Sequence, residues 1–304
     1  MRRRKSFYLK MSEINEVKNR IKGVAATQKI TNALYLISSA KVRKAREELE
    51  KTAPYFWGIR KEIKSIFKTV DHIESKFLYP ENDHMNDAAC GYLVITADKG
   101  MAGAYNHNVV KRVENELKKH EKSKLFVVGD SGREYLAAKG YNVAEDFCFE
   151  ALRPTLAAAR KIADILLEGF VNGDYSKLFI LYTDMADGAV IIKSTRILPF
   201  HTAEFIAEKD KIKEEFEFIP SREVVLNNLV PSYVCGYVYS SLVDSYCVEQ
   251  NARLMAMKSA SDNASEILSD LRSEYNHARQ NEITTEIAEV SSGAKFQRSK
   301  KNDG

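Results

Sequence analysis

Residues 232–292 contain no proline and a single glycine, Gly236, and no other stretch of this 304-residue chain is so free of breakers. Apolar residues return there at spacings of three and four: Ala260, Ala264, Ile267, Leu271, Tyr275, Ala278, then Ile283, Ile287 and Val290. That period predicts a helix about 90 Å long at 1.5 Å per residue, far wider than a small domain, so it cannot bury its stripe alone. The opposite end carries the same rhythm in Ile14, Val17, Ile21 and Val24, resumed by Val42, Ala45 and Leu49 before Pro54. The economical arrangement pairs the two terminal helices as a long antiparallel coiled coil. A globular body on such a rod suggests transmission or spacing more than a substrate pocket.

The charge is divided along the chain. Residues 1–70 hold 18 basic against 6 acidic side chains, whereas residues 232–293 hold 4 basic against 9 acidic. Opposite charge on two paired helices favours their association. The basic surplus on Lys18, Lys22, Lys41, Arg43 and Lys44 leaves three readings open: a solvated face, an acidic protein partner, or nucleic acid. Those residues lack interleaved aromatics on which bases would stack, which counts against nucleic acid. No apolar run approaches the ~20 residues of a membrane span, so membrane association is expected only through partners. Four cysteines without C-x-x-C spacing, Cys90, Cys148, Cys235 and Cys247, read as buried free thiols.

Between residues 88 and 218 the pattern changes. Short β-branched runs at residues 92–96, 125–128, 178–182 and 190–192 alternate with helical stretches near 105–120, 132–139 and 154–171. Strands alternating with helices predict a mostly parallel Rossmann-like sheet, and the run through Gly188 predicts a terminal hairpin that makes it mixed. The fold class is therefore α/β: terminal helices at 11–80 and 220–294, an inserted α/β domain at 88–219, and disordered extensions at 1–10 and 295–304. The first strand runs into Asp98-Lys99-Gly100-Met101-Ala102-Gly103. This is read as a structural turn, with Asp98 capping the following helix and Gly100 and Gly103 giving tightness and close packing; it lacks the residues of a Walker A or dinucleotide fingerprint. No catalytic constellation, metal set or cofactor motif is found, so no catalytic site, metal or cofactor is expected.

Three segments resemble the gamma subunit of the rotary F-type ATP synthases. Thr27-Gln28-Lys29-Ile30-Thr31-Asn32-Ala33-Leu34 is similar to that family's T-Q-K-I-T-x-A-M. Thr96-Ala97-Asp98-Lys99-Gly100-Met101-Ala102-Gly103-Ala104-Tyr105-Asn106 is similar to T-S-D-R-G-L-C-G-A-[FY]-N. Tyr275-Asn276-His277-Ala278-Arg279-Gln280, followed by Ile283-Thr284-Thr285-Glu286, resembles the family's ending, and Glu249-Gln250 with Ala252-Arg253 extends the likeness. The resemblance implies a non-catalytic central-stalk rotor whose coiled coil turns inside the alpha/beta hexamer while its foot meets epsilon and the membrane ring of c subunits, on the cytoplasmic face of a bacterial membrane. It also implies beta-subunit contacts at Lys29, Thr31, Leu34, Arg279, Gln280, Thr284 and Glu286, and puts the basic rod opposite acidic beta loops. Leu34 stands where methionine is usual and Ala102 where cysteine is. The polar ending at 295–304 replaces the family's apolar tail, and residues 297–304 are expected to be dispensable, with Phe296 at most filling the sleeve of the hexamer. Residues 1–10 precede the family's usual start, which makes Met11 a candidate initiator. The alternative class is a basic coiled-coil adaptor or nucleic-acid protein.

Overall fold

A computed structural model describes residues 2–69, 75–78, 89–120, 122–186, 189–201 and 218–302. Its elements are α1 (Arg2–Thr69), β1 (Cys90–Ile95), α2 (Tyr105–Leu117), β2 (Ser123–Val128), α3 (Asp130–Ala138), α4 (Leu156–Asn172), β3 (Lys177–Ala186), β4 (Ala189–Leu198) and α5 (Arg222–Asn302). The chain divides into two compact units, one of Met1–Ile37 with Met255–Gly304 and the other of Ser38–Leu254.

In the first unit α1 and α5 lie side by side, joined by a hydrogen bond from Gln28 Nε2 to Ser265 Oγ at 2.6 Å. Positions 14, 17, 21, 24, 28, 31 and 35 of α1 are wholly or partly buried, as are 257, 264, 268, 271, 275, 278 and 282 of α5. Steps alternating between three and four residues are the coiled-coil spacing, which keeps one narrow seam of each helix against its partner. The helices also continue through residues 2–10 and 295–302, which the sequence alone reads as disordered extensions. Once a helix is under way each further residue adds a hydrogen bond, and neither stretch contains proline or glycine to stop it. Residues 1, 303 and 304 lie outside the described residues.

The second unit is built on a four-stranded sheet of order β2-β1-β3-β4. β1 runs parallel to β2 and β3, and β4 returns antiparallel to β3 as the expected hairpin. Alternate side chains point to opposite faces. Leu93, Ile95, Phe126 and Ile180 join a core with α4 and residues 226–247 of α5, while Tyr92, Val94, Val127 and Leu181 join a second core with α2 and α3. Coverage of both faces explains why every residue of β1 is buried. α4 starts cleanly because Thr155 Oγ1 accepts from Ala158 N at 3.2 Å, and stops at Gly173, which takes φ 82°.

Here too α1 and α5 are antiparallel: Arg46 reaches Cys247, Thr52 reaches Tyr239, and Phe56 lies against Gly236. Gly236, the one glycine of the breaker-free run, has a packing reason. A Cβ there would stand 2.2 Å from the Phe56 ring, so only glycine admits that ring. Pro54 and Pro231 lie inside the helices, each removing one backbone donor without ending its helix. Cys90, Cys235 and Cys247 are buried free thiols as expected, but Cys148 is exposed.

Candidate functional site

Three groups of residues stand out on this framework. The first lies in the unit of residues 1–37 and 255–304. Arg279, Gln280, Thr284 and Glu286 are all exposed on α5, with the Thr284 hydroxyl donating back to Gln280 O at 2.8 Å. Ile283, Ile287 and Val290 are 44%, 64% and 74% exposed on the same stretch. Polar motif residues and uncovered apolar ones thus share this stretch of helix. On α1, Lys29 is exposed and Leu34 half-buried, while Ile30 is 60% exposed. Thr31 differs from that group. It is 7% exposed and its hydroxyl donates to Gln28 O at 3.0 Å, so it sits in the seam behind the surface.

The second group is the basic one. Lys18 and Lys22 are exposed in the first unit, and Arg43 and Lys44 are exposed in the second, where Arg43 makes a long 3.8 Å contact with Glu47. Lys41 is half-buried, and its charge is the smallest of the influences on Glu249, whose pKa is raised by burial against the pull of the Arg253 charge. In the same unit Arg46, Leu49, Glu50, Asp184, Asp244 and Cys247 line a cavity of about 270 Å³. Burial first, and then the Asp184 carboxylate, push Asp244 up from 3.8 to about 6, against the opposing pull of Ser240, Lys193 and Arg46. Asp184 itself is held by Lys193 at 2.5 Å.

The third group surrounds the turn after β1. Asp98 does not cap α2: that helix opens at Ala104 without a side-chain cap. Asp98 Oδ1 instead accepts from Asp130 N at 3.2 Å, where α3 begins, and from Ala151 N at 3.1 Å, so it ties two later segments to the turn. Asn106, in the first turn of α2, ties that helix to the turn instead: its Oδ1 accepts from Ala97 N at 3.0 Å. Gly103 takes φ 57° and Met101 a left-handed φ of 62°. Gly100 and Gly103 have open space where a Cβ would stand, so close packing is not what requires glycine there.

Sequence reading names Glu249 and Arg253 only as matching positions and gives them no role. In the structure they carry a buried network. Arg253 Nη1 meets Glu249 Oε1 at 2.6 Å, and Arg253 Nη2 donates to Gly100 O at 3.0 Å and Lys99 O at 3.3 Å. Burial raises the Glu249 pKa and the Arg253 charge opposes that rise. One turn earlier Ser245 Oγ accepts from Thr183 N at 3.1 Å, and Ser245 O accepts from Tyr105 OH at 3.4 Å. An acidic and a basic residue four apart on one helix were the available signal.

The fold and these surfaces define a stalk-type protein: paired terminal helices, a face left open near one end, and an α/β body. Among proteins of known function the ATP synthase family pattern matches residues 13–295. The ATP synthase gamma chain of Acetivibrio thermocellus is 38% identical over 293 residues, which cover 93% of this chain and 99% of that one. The ATP synthase gamma chain, sodium ion specific, of Acetobacterium woodii is 34% identical over 298 residues, covering 92% and 97%. Among solved structures, a chain of the Euglena gracilis mitochondrial ATP synthase shares the fold with a TM-score of 0.65 at 16% identity, covering 95% of this chain and 96% of that one. The chain belongs to the ATP synthase gamma-chain family.

Proposed function

We propose that this chain is the rotating central-stalk subunit of an F-type ATP synthase and has no catalytic site of its own. The observation that carries the reading is the exposed stretch of α5 around Arg279 and Ile287, where family-matching polar residues and uncovered apolar residues share one rod. The rod turns inside a hexamer of alpha and beta subunits, and ATP chemistry takes place on beta. Because the face bearing Arg279, Gln280, Thr284 and Glu286 is one-sided, each beta subunit meets a different surface at each orientation. Differential contact of that kind shifts each nucleotide site between conformations, which is how a shaft without chemistry changes affinity at three sites in turn.

Arg279 and Gln280 supply planar, multi-point hydrogen bonding, and Glu286 a carboxylate for a lysine or arginine of the hexamer. Lys29 and Leu34 contribute from α1, with Thr31 fixing the seam behind them. Lys18, Lys22, Arg43 and Lys44 guide docking onto acidic beta loops. The α/β unit meets epsilon and the c-ring, through which the complex is held on the cytoplasmic face of a bacterial membrane. No helix among the described residues is long and apolar enough to cross a membrane, so the attachment runs through partners. The adaptor and nucleic-acid alternative has only the basic residues in its favour.

The test is reconstitution. The chain added to an alpha/beta hexamer lacking its gamma subunit co-purifies with it, and in membranes it restores ATP hydrolysis coupled to ion movement. Failure to bind the hexamer, or tight binding to DNA by the free chain, overturns the reading.

A further inference from the structure

Ser245, Glu249 and Arg253 are spaced by four residues and so share one face of α5 over about 12 Å. All three are buried, at 1%, 5% and 9% exposure, and their partners lie on three other pieces of the same unit: β3 through Thr183, α2 through Tyr105, and the turn after β1 through Lys99 and Gly100. Buried polar groups are costly unless paired, and an apolar stripe would have served a helix that needed only to be covered. The difference between the two kinds of contact is angular. Apolar burial is non-directional, so it opposes a small roll of a helix less sharply than hydrogen bonds do. Hydrogen bonds lose strength steeply once their angle departs from linear.

We propose that the Ser245, Glu249 and Arg253 seam is the torque coupling of this protein, fixing the rotational setting of α5 on the α/β unit so that twist passes between sheet and helix. Glu249 and Arg253 are positioning residues: they touch no nucleotide and act by holding the helix. The two attachments work together. The Ser245 contacts pin α5 at the end of β3, and Arg253 pins it two turns further on, so neither rolling nor sliding is free. The seam's role rests on the rotor reading above.

The test uses the assembled complex in membranes, measuring ATP hydrolysed and ions pumped together. Replacing both charges (E249M/R253M) removes the ion pair without leaving one charge buried alone. Hydrolysis stays near the unmodified rate, and ions moved per ATP fall about twofold or more, because the apolar contacts left behind hold the angle less sharply than the hydrogen bonds they outlast. A disulfide from T183C/S245C in that background restores the ratio on oxidation and loses it on reduction; the 3.1 Å contact from Thr183 N to Ser245 Oγ places the two Cα atoms at about the 4–7 Å that a disulfide spans. An unchanged ratio in E249M/R253M, or a lowered ratio that the cross-link leaves low, overturns the proposal. If the double variant does not assemble, R253K decides: its single ammonium cannot serve Glu249 and two carbonyls in one plane, so a lowered ratio supports the seam and an unchanged one sinks it. Failure of the unmodified chain to restore pumping is a different result; it removes the rotor reading and the seam's role with it.

Discussion

Within residues 38–254 the two long helices are lined with large side chains: Phe56, Ile59, Ile63 and Ile66 on α1 meet a core that includes Leu226, Val230, Val238 and Tyr239 of α5. Among the described residues of 14–37 and 255–294 the buried positions are few, Val17, Thr31, Met257, Ala264, Leu268 and Leu271, and the outer faces are exposed. Both regions keep the three-four spacing, so the same helical geometry serves two purposes. Burial of many large groups stabilises a single fixed arrangement. A narrow seam leaves most of each helix surface available to another protein, as a part that works inside a sleeve requires. Substitutions in the two regions should therefore fail in different ways, the first by unfolding and the second by loss of partner contact.

The sharpest way to break the contrast is Gly236→Leu. Its side chain must enter space held by the Phe56 ring, and the loss of stability in denaturant unfolding is about 3 kcal/mol, with partial recovery when Phe56→Ala is added. A normal midpoint in Gly236→Leu would mean that the helices are not closely packed there. The complementary change, Arg279→Leu with Gln280→Leu, leaves unfolding unaltered because both residues are exposed. Steady-state ATPase of the assembled complex falls about tenfold, the effect of losing roughly 1.4 kcal/mol of contact at the hexamer. Unchanged turnover with normal assembly removes this pair from the interface.

Smaller effects sharpen the picture. Replacing Lys18, Lys22, Arg43 and Lys44 by glutamine slows assembly about tenfold at low ionic strength, and the difference closes at high salt. Single replacements do little, since exposed pairs are worth only ~0–1 kcal/mol. An assembly rate and salt dependence equal to those of the unmodified chain would reject electrostatic docking. Asp244 makes the mildest prediction. Its pKa rises from 3.8 to about 6 on folding, so the folded chain binds a proton more tightly and the associated stability is lost as pH rises through 6. Asp244→Asn removes that dependence and raises the melting temperature by roughly 2–4 °C at pH 8, with little change near pH 4. A melting curve that keeps its slope between pH 4 and 7 in the variant shows that another group is responsible.

The paired helices and the mixed sheet were legible because their signals are local. The three-four spacing of Ile14, Val17 and Ile21, and the β-branched strands around Gly188, carry their period in consecutive residues. The helical setting of Arg279, Gln280, Thr284 and Glu286 was equally legible, since an exposed polar group on a helix needs no distant partner to be placed. What escaped depends on contacts remote in sequence. Asp98 answers to Asp130 and Ala151, and no local rule distinguishes that from capping the next helix. Thr31 looks like a surface threonine until the register of the helix pair turns it inward. Arg253 finds its carbonyls some 150 residues earlier, at Lys99 and Gly100, and only the path of α5 along the sheet brings them together.

The measurement that tests the central claim most directly is single-molecule rotation. The hexamer is fixed to a surface, and a bead is attached to this chain through Cys148, which is exposed on the α/β unit. On adding ATP the bead turns in one direction and pauses at three angles per revolution, one for each beta subunit. A complex that hydrolyses ATP at full rate around this chain while the bead only fluctuates about one angle would contradict the account, because the chain would then be held in the hexamer without serving as its shaft.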